Sequence, residues 1–484
     1  MKNYLIKPKS VKKSEVQERE YIFSASRYND IQINSNFDFL DNLITVSKNS
    51  VNLKKQKKYF NYVEIGSINT STGYVVPTYK KSVDISADSV YQLQKDDILI
   101  STVRTYLGGI GIVNQKEQNY VASKALIVLR DLKKNINKYY LFGILRSSFF
   151  IEQTKLILNA SVYPRMDKDS FAQLKIPFPT IANHPIPEKV EILISLIIQN
   201  IIDKEEQIKL KNKLIDELIE KELNENQKTV TFSYNYPRIN EIREETRLDT
   251  GIYEKEYKRI SGLVKNYIHG NYCLDKDKIS PGETPKDYYF SDYKINDNFY
   301  DWVTPKNINQ RQLAFHTYIF TKTKSKVKDN ALVLNGIRYV GNGIFVAKGS
   351  CVCANQNTLI INQFEEINNQ LFLFCFLTSD LGKKMQILRR NFGIVPILYS
   401  EQMSKIPIPD FPLSKKQKIT KLYYNLLDKN SDLTFENYFE KEKDRNHKAG
   451  IFQLNMEIFS LQEQLEDLVH KIVMEEKIEL KFEH

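Results

Sequence analysis

Apolar residues along this chain follow two rhythms that alternate. Up to about residue 180 they come in short β-prone runs, at 59–65, 98–103 and 125–129, separated by turn signals at Gly73, Gly108, Gly109 and Gly111. A helical period follows over 138–158. This mixture predicts an α+β domain. At about Thr180 the rhythm changes. Pro185 and Pro187 punctuate a linker, and residues 188–223 then contain neither Gly nor Pro. Val190, Ile194, Ile197, Ile201, Ile208, Ile215 and Leu218 fall on a heptad seam that Lys204 and Lys211 interrupt. A second β-rich stretch covers 229 to about 412, with runs at 331–334, 343–346 and 358–362 and a helical run over 370–388. The tail starts amphipathic over 414–427 and passes through a polar patch at 429–450. It then carries Ile451, Leu454, Ile458, Leu461, Leu465, Leu468 and Ile472 at unbroken spacings of three and four. That seam predicts a helix packed against another helix, most simply the first long one.

The β-rich stretches repeat each other. Asp97-Ile98-Leu99-Ile100, the glycines at 108–109, Val162-Tyr163-Pro164 and Lys175-Ile176-Pro177-Phe178-Pro179 form one copy. Asn330-Ala331-Leu332-Val333, Gly341 and Gly343, Ile394-Val395-Pro396 and Lys405-Ile406-Pro407-Ile408-Pro409 form the other. The expected organisation is a first head over 1–180, a spacer helix over 181–228, a second head over 229–412 and a C-terminal spacer helix over 413–484. A pseudo-symmetric chain of this kind suits a target divided in two halves.

Composition narrows the function. The chain has 484 residues, enough for two or three domains, and a net charge of +11, which suits a polyanionic partner. No signal-peptide core opens it, and no run approaches the ~18 apolar residues of a membrane span. A cytoplasmic protein without a membrane partner is expected. Cys273, Cys351, Cys353 and Cys375 form no C-x-x-C pair, and the histidines form no zinc-binding pattern. No Pro-Pro pair is available to hold a flipped adenine, and no G-x-x-x-x-G-K-[ST] loop to hold a nucleotide. Pro409-Asp410 lacks the Glu-x-Lys of a metal-dependent nuclease. The chain shows no catalytic constellation, cofactor site or metal site, so an enzyme acting alone is not expected.

If the polyanionic partner is DNA, reading its sequence needs side chains at base edges, where Arg bridges guanine and Asn or Gln pairs with adenine. The turns after the two apolar strands offer Thr102, Arg104, Thr105 and Tyr106 in one head, and Asn335, Arg338 and Tyr339 in the other. A second set precedes the closing proline motifs: Tyr163 and Arg165, then Arg389, Arg390 and Asn391.

These features resemble the DNA-specificity subunit of type I restriction-modification enzymes. Pro281-Gly282-Glu283-Thr284-Pro285 is similar to the family's G-x-T-P motif, and Trp302-Val303-Thr304-Pro305-Lys306-Asn307-Ile308 to its W-[IV]-T-P-x-[DN]-I segment. Val63-Glu64-Ile65-Gly66-Ser67-Ile68 and Asp96-Asp97-Ile98-Leu99 are looser matches in the first head. Gln417-Lys418-Ile419 resembles the start of the second spacer helix. Ser26-Arg27-Tyr28-Asn29 and Thr246-Arg247-Leu248-Asp249 echo each other ahead of the two heads.

The resemblance implies two target recognition domains, each reading half of a gapped DNA sequence, and two long helices paired as an antiparallel coiled coil. The helices would act as a ruler and dock two methyltransferase subunits. Those partners bring S-adenosylmethionine, and motor-nuclease subunits bring ATP and Mg. The polar stretch 429–450 departs from the pattern and bears on the continuity of the second helix. Two rivals remain: the specificity partner of a fused restriction-methylation enzyme, and a coiled-coil scaffold joining two protein-binding domains.

Overall fold

The structure is a computed structural model that describes all residues except 1–3, 19–27, 56, 115–118, 158–170, 172, 230–232, 246, 292–293, 295, 297, 324, 392 and 483–484. It divides into two compact units. The first comprises 1–206, 429–446 and 456–484; the second comprises 207–428 and 447–455. The central helix Pro187–Glu225 and the C-terminal helix Ile451–Met474 each contribute a segment to both units.

Each unit holds one head, and the heads share a sheet plan. In the first, an antiparallel sheet runs Ile110–Ile112, Ile98–Ser101, Leu126–Leu132, Ile44–Val46. In the second, Gly343–Phe345, Leu332–Asn335, Thr358–Ile361 and Ile279–Pro281 follow the same order. Every residue of Ile98–Ser101 and Leu332–Asn335 is buried, which is why both read as continuous apolar runs rather than alternating ones. A second sheet in each head contains one parallel pair, inside the five-stranded sheet of the first head and at the edge of the four-stranded sheet of the second. Tyr59–Val63 pairs with Tyr120–Ala122, and Phe299–Val303 with Val352–Ala354. Parallel neighbours need a long crossover, and in both heads the buried hairpin fills it.

Shared hydrogen bonds align the copies residue by residue. Ser123 N–H donates to the Val63 carbonyl as Asn355 N–H does to Val303. The cores correspond too: Val63, Leu99, Ala122 and Val128 in one head, Val303, Val333, Ala354 and Ile360 in the other. The alignment also corrects the repeat as read from sequence. Asp96 and Asn330, not Asp97 and Asn330, are equivalent. Both have left-handed backbones (φ 66° and 63°), and both donate their N–H across the hairpin, to Val113 and Val346. Asp97 therefore matches Ala331. In the first head it is fully buried and holds Arg130 through two hydrogen bonds of 2.8 and 2.9 Å.

The helical run behind each sheet was expected as one helix over 138–158 and over 370–388. Each is two helices: Lys138–Arg146 with Ser148–Ile157, and Ile367–Leu377 with Asp380–Arg389. Ser147 and Ser379 sit at the breaks. Their hydroxyls donate back to Ile144 O and Phe376 O, each at 2.6 Å. Side-chain bonds of this kind compete with continuation of the helix ladder.

The long helices pair antiparallel. Within the first unit, Asn183, just ahead of the central helix, donates to Lys471 O at 2.9 Å. Lys204, further along, pairs with Glu457 at 2.5 Å. Ile194, Ile197 and Ile201 are buried, as are Ile458, Leu461, Leu465, Leu468 and Ile472. Gly143 admits the contact in this unit. A Cβ there would lie 2.9 Å from Ile194, 3.2 Å from Ile198 and 3.5 Å from Leu465. Within the second unit Ile208, Ile215, Ile451 and Leu454 are buried. Leu218 is only half-buried, and Ile219 and Leu223 take the inward positions instead. A straight helix drifts relative to a strict heptad, so the inward face moves to the next residue.

The tail over 413–484 is three helices rather than one: Leu413–Tyr423, Tyr438–Lys448 and Ile451–Met474. In the second unit the chain leaves at Asn425 and returns beside it at Gly450. Gly450 N–H donates to Asn425 O at 2.9 Å, and Asn425 Nδ2 donates to Lys448 O at 2.7 Å. A Cβ on Gly450 would collide with Asn425 and the Tyr423 carbonyl, so glycine permits the close return. The polar patch is thus an insertion looped out of a split helix.

In the first unit, the insert helix Tyr438–Lys448 buries a polar face against the central helix. Asn200 donates to Tyr438 Oη (2.9 Å) and to Glu442 (3.2 Å). Asn446 donates to Asn200 (2.9 Å) and Asp203 (2.8 Å), and Lys204 donates to Asn446 (2.7 Å). Arg445 and Lys204 both hold Glu457. Burial works against that carboxylate's charge, yet the two cations keep it below the usual range. In the second unit, Lys211 donates to His447 O at 2.9 Å. The two lysines that break the heptad seam are therefore explained by the insertion. No helix among the described residues is long and apolar enough to cross a membrane.

Candidate nucleic-acid interface

The turn after each buried strand has one construction. Ser101 N–H and Asn335 N–H close it onto Gly109 O and Asn342 O. Thr102 and Gly336 then tie it to the neighbouring loop, at Ala125 O and Asn357 O. Two residues later, each turn holds an exposed arginine with left-handed backbone: Arg104 at φ 48° and Arg338 at φ 60°. An L-residue in that region costs about 1–2 kcal/mol, so the turn fixes where these side chains start.

The other candidates in these turns differ in exposure. Tyr106 is half-buried and Tyr339 is 62% exposed. Thr102 is half-buried, with its hydroxyl on Ala125 O. Thr105 and Asn335 are corrections. Both are buried: the Thr105 hydroxyl donates to Ser101 O at 2.6 Å, and Asn335 Nδ2 donates to Tyr339 O at 3.3 Å. Their side chains brace the turns instead of facing outward.

In the second head the two candidate sets come together. Leu398 N–H donates to Gly336 O at 2.8 Å, Asn391 N–H to Ile397 O at 2.9 Å, and Ile337 bridges Ile397. Asn391 and residues 393–397 thereby stand beside the Arg338 turn. Asn391 is exposed. Arg390 is half-buried and donates to Ile387 O, and burial pushes its guanidinium down from the ordinary range.

Arg389 is a further correction. It is 2% exposed, lies against the Tyr257 ring, and donates to Gln402 O (3.0 Å), Tyr257 Oη and Glu245 (2.6 Å). It anchors the loop from inside. Tyr163 and Arg165 lie outside the described residues.

Sequence reasoning missed the brace itself. Arg247 is paired with Asp249 at 2.7 Å and donates to Arg389 O (2.7 Å) and Arg390 O (2.8 Å). The signal was present in the echo at 246–249, where an arginine and an aspartate two apart form a local pair.

Comparison with known proteins finds a match in the first part of the chain. Residues 34–218 match the type I restriction modification DNA specificity domain. That match spans the first head and most of the central helix. No curated protein matches the chain. Among solved structures, a chain from a study of complex assembly in a type I R-M system aligns at 14% identity over 92% of this chain and 99% of its own, with a TM-score of 0.33. The HsdS subunit from Thermoanaerobacter tengcongensis aligns at 15% identity, covering 90% and 96%, with a TM-score of 0.31. A type I S subunit from M. genitalium aligns at 12%, covering 93% and 97%, with a TM-score of 0.39.

The family motifs prove to be scaffolding. Trp302-Val303-Thr304-Pro305-Lys306-Asn307-Ile308 is the end of a strand and a capped turn. Asn307 accepts from Thr304 N–H (2.8 Å) and donates to Trp302 O (2.8 Å). In Pro281-Gly282-Glu283-Thr284-Pro285, a Cβ on Gly282 would strike the Asn355 and Ala354 carbonyls, so only glycine allows the approach.

Proposed function

We propose that the chain is a non-catalytic DNA-specificity subunit in which each head reads one half of a gapped duplex sequence. The observation that carries this is the pair of repeat-equivalent exposed arginines, Arg104 and Arg338, each on a left-handed turn at the end of a buried strand. Duplicated placement of the base-reading side chain is what a divided target requires. In this reading Thr102, Tyr106, Tyr339, Arg390 and Asn391 flank the arginines at the duplex. The paired helices dock methyltransferase subunits, two in the simplest case, which carry S-adenosylmethionine. Motor-nuclease subunits carry ATP and Mg.

The test exchanges residues 229–412 for the corresponding head of a relative and maps methylated adenines in cells that carry the methyltransferase partner. One half of the methylated sequence should change and the other stay. A change in both halves together overturns the two-headed reading. Duplex binding with no sequence preference and no salt dependence would leave the scaffold as the better reading.

A further inference from the structure

The tip of the loop 391–397 is apolar and uncovered. Ile394 is fully exposed, at 105% of its reference surface, and Val395 beside it is 52% exposed. Leaving such a side chain in water forfeits the free energy of burial, which an occupant that covers it recovers.

The loop beneath the tip is firmly built. Asn391 and Ile397 close it, Leu398 ties it to Gly336, and Pro396 fixes φ next to the tip. Arg247 caps the carbonyls of Arg389 and Arg390, and Arg389 is buried below.

The surroundings are cationic. Exposed Arg338 and half-buried Arg390 have no carboxylate partner among the described residues. The carboxylates on the bracing elements are already committed: Glu245 to Arg389, Asp249 to Arg247, and Glu401 to Lys405. An exposed apolar tip beside two arginines that no described carboxylate pairs complements a polyanion with an apolar interior, which is a stacked duplex.

We propose that Ile394 and Val395 form an apolar wedge that enters the DNA groove and opens a base step beside the bases read by Arg338. This deepens the DNA-reading function proposed above and rests on it. Wedges of branched apolar side chains partly unstack a step and bend the duplex, so sequence is read through the ease of deformation as well as by hydrogen bonds.

The experiment uses the full chain and a duplex enriched with it from a random-sequence library. 2-Aminopurine is placed at successive positions of the selected half-site, and end-to-end energy transfer reports bending. The wild type should brighten 2-aminopurine at one step and shorten the end-to-end distance. The double variant I394A/V395A should lose both signals and about tenfold in affinity for the selected duplex, a loss of about 1.4 kcal/mol. Its melting temperature and its affinity for random duplex should be unchanged. Ile394→Leu should restore most of the signal.

If the wild type selects a duplex but unstacks no step, the wedge is overturned while the reading function stands. If the affinity loss disappears when uracil replaces thymine, the tip contacts a thymine methyl and the wedge is again overturned. If the variant loses only capture of the methyltransferase subunit, the tip is a protein contact and no wedge. A wild type that selects no duplex at all overturns the reading function and the wedge with it.

Discussion

Each head sets one guanidinium near the central helix, but the two arginines come from different elements. In the first head it is Arg146, at the end of the helix Lys138–Arg146. It donates to three backbone carbonyls, of Ile110 (2.8 Å), Thr70 (3.1 Å) and Ser71. Glu205 of the central helix is nearby and accepts from Asn69 at 3.2 Å. In the second head it is Arg311, in the turn after the strand Ile308–Asn309. It donates to side chains: Asp216 (2.6 Å), Asn212 (2.7 Å) and Thr378 (2.8 Å). The first head satisfies its half-buried cation mainly with carbonyl dipoles, the second its buried one with a carboxylate. What the copies share is a guanidinium fork near the central helix, supplied by residues of different elements.

The largest effect should come from breaking the pair that depends on a full charge. Arg311→Met leaves Asp216 partly buried without its cation. It should cost about 3–5 kcal/mol in urea denaturation of the full chain. Arg146→Met abandons carbonyls and an acid that can take up a proton, so it should cost less. Equal losses would break the contrast.

Lys204→Met is expected to follow at about 3 kcal/mol. It removes the ammonium that links Glu442 and Asn446 of the insert helix to Glu457. Protease should then cut within 426–437 faster than in the wild type, and an unchanged cleavage rate would remove the lysine's role in holding the insertion.

The third effect depends on pH. Burial raises the Glu205 carboxyl to about 7, against smaller lowering by Thr72 and Arg146. Its folded pKa lies above its unfolded one. The stability it contributes is therefore complete below about pH 4 and is lost as pH rises through about 7. Glu205→Gln should be near neutral at pH 4 and stabilising by about 1–3 kcal/mol at pH 8. A pH-independent difference would sink this assignment.

The smallest stability effect sharpens the equivalence of the reading turns. Arg104→Gly and Arg338→Gly each relieve a left-handed backbone, so each should change stability by under about 1 kcal/mol. Each should nonetheless relax discrimination in its own half-site by about 1–3 kcal/mol, measured by methylated-site mapping. Loss at both half-sites from a single change would contradict separate reading.

Much of this molecule was legible in the residue order. Burial on both faces made Ile98–Ser101 and Leu332–Asn335 continuous apolar runs, and the unbroken spacing from Ile451 to Ile472 marked a buried helix face. The turn arginines were legible because they follow those strands. Arg389 was misjudged because an arginine near a loop has the same letters whether it faces water or Glu245. The register of the repeat was off by one because Asp96 and Asp97 are adjacent and only backbone conformation separates them.

Sequence alone determined the two heads, the long helices and the interruption at 429–450, because periodicity and turn chemistry are local properties. The tertiary structure alone decided what that interruption is for. Lys204, Lys211, Glu442 and Asn446 each look like solvated surface in their own windows. They are buried because partners more than two hundred positions away supply the missing hydrogen bonds and charges. The cost of burying a polar group depends on its partner, and no local pattern records which partner folding will bring.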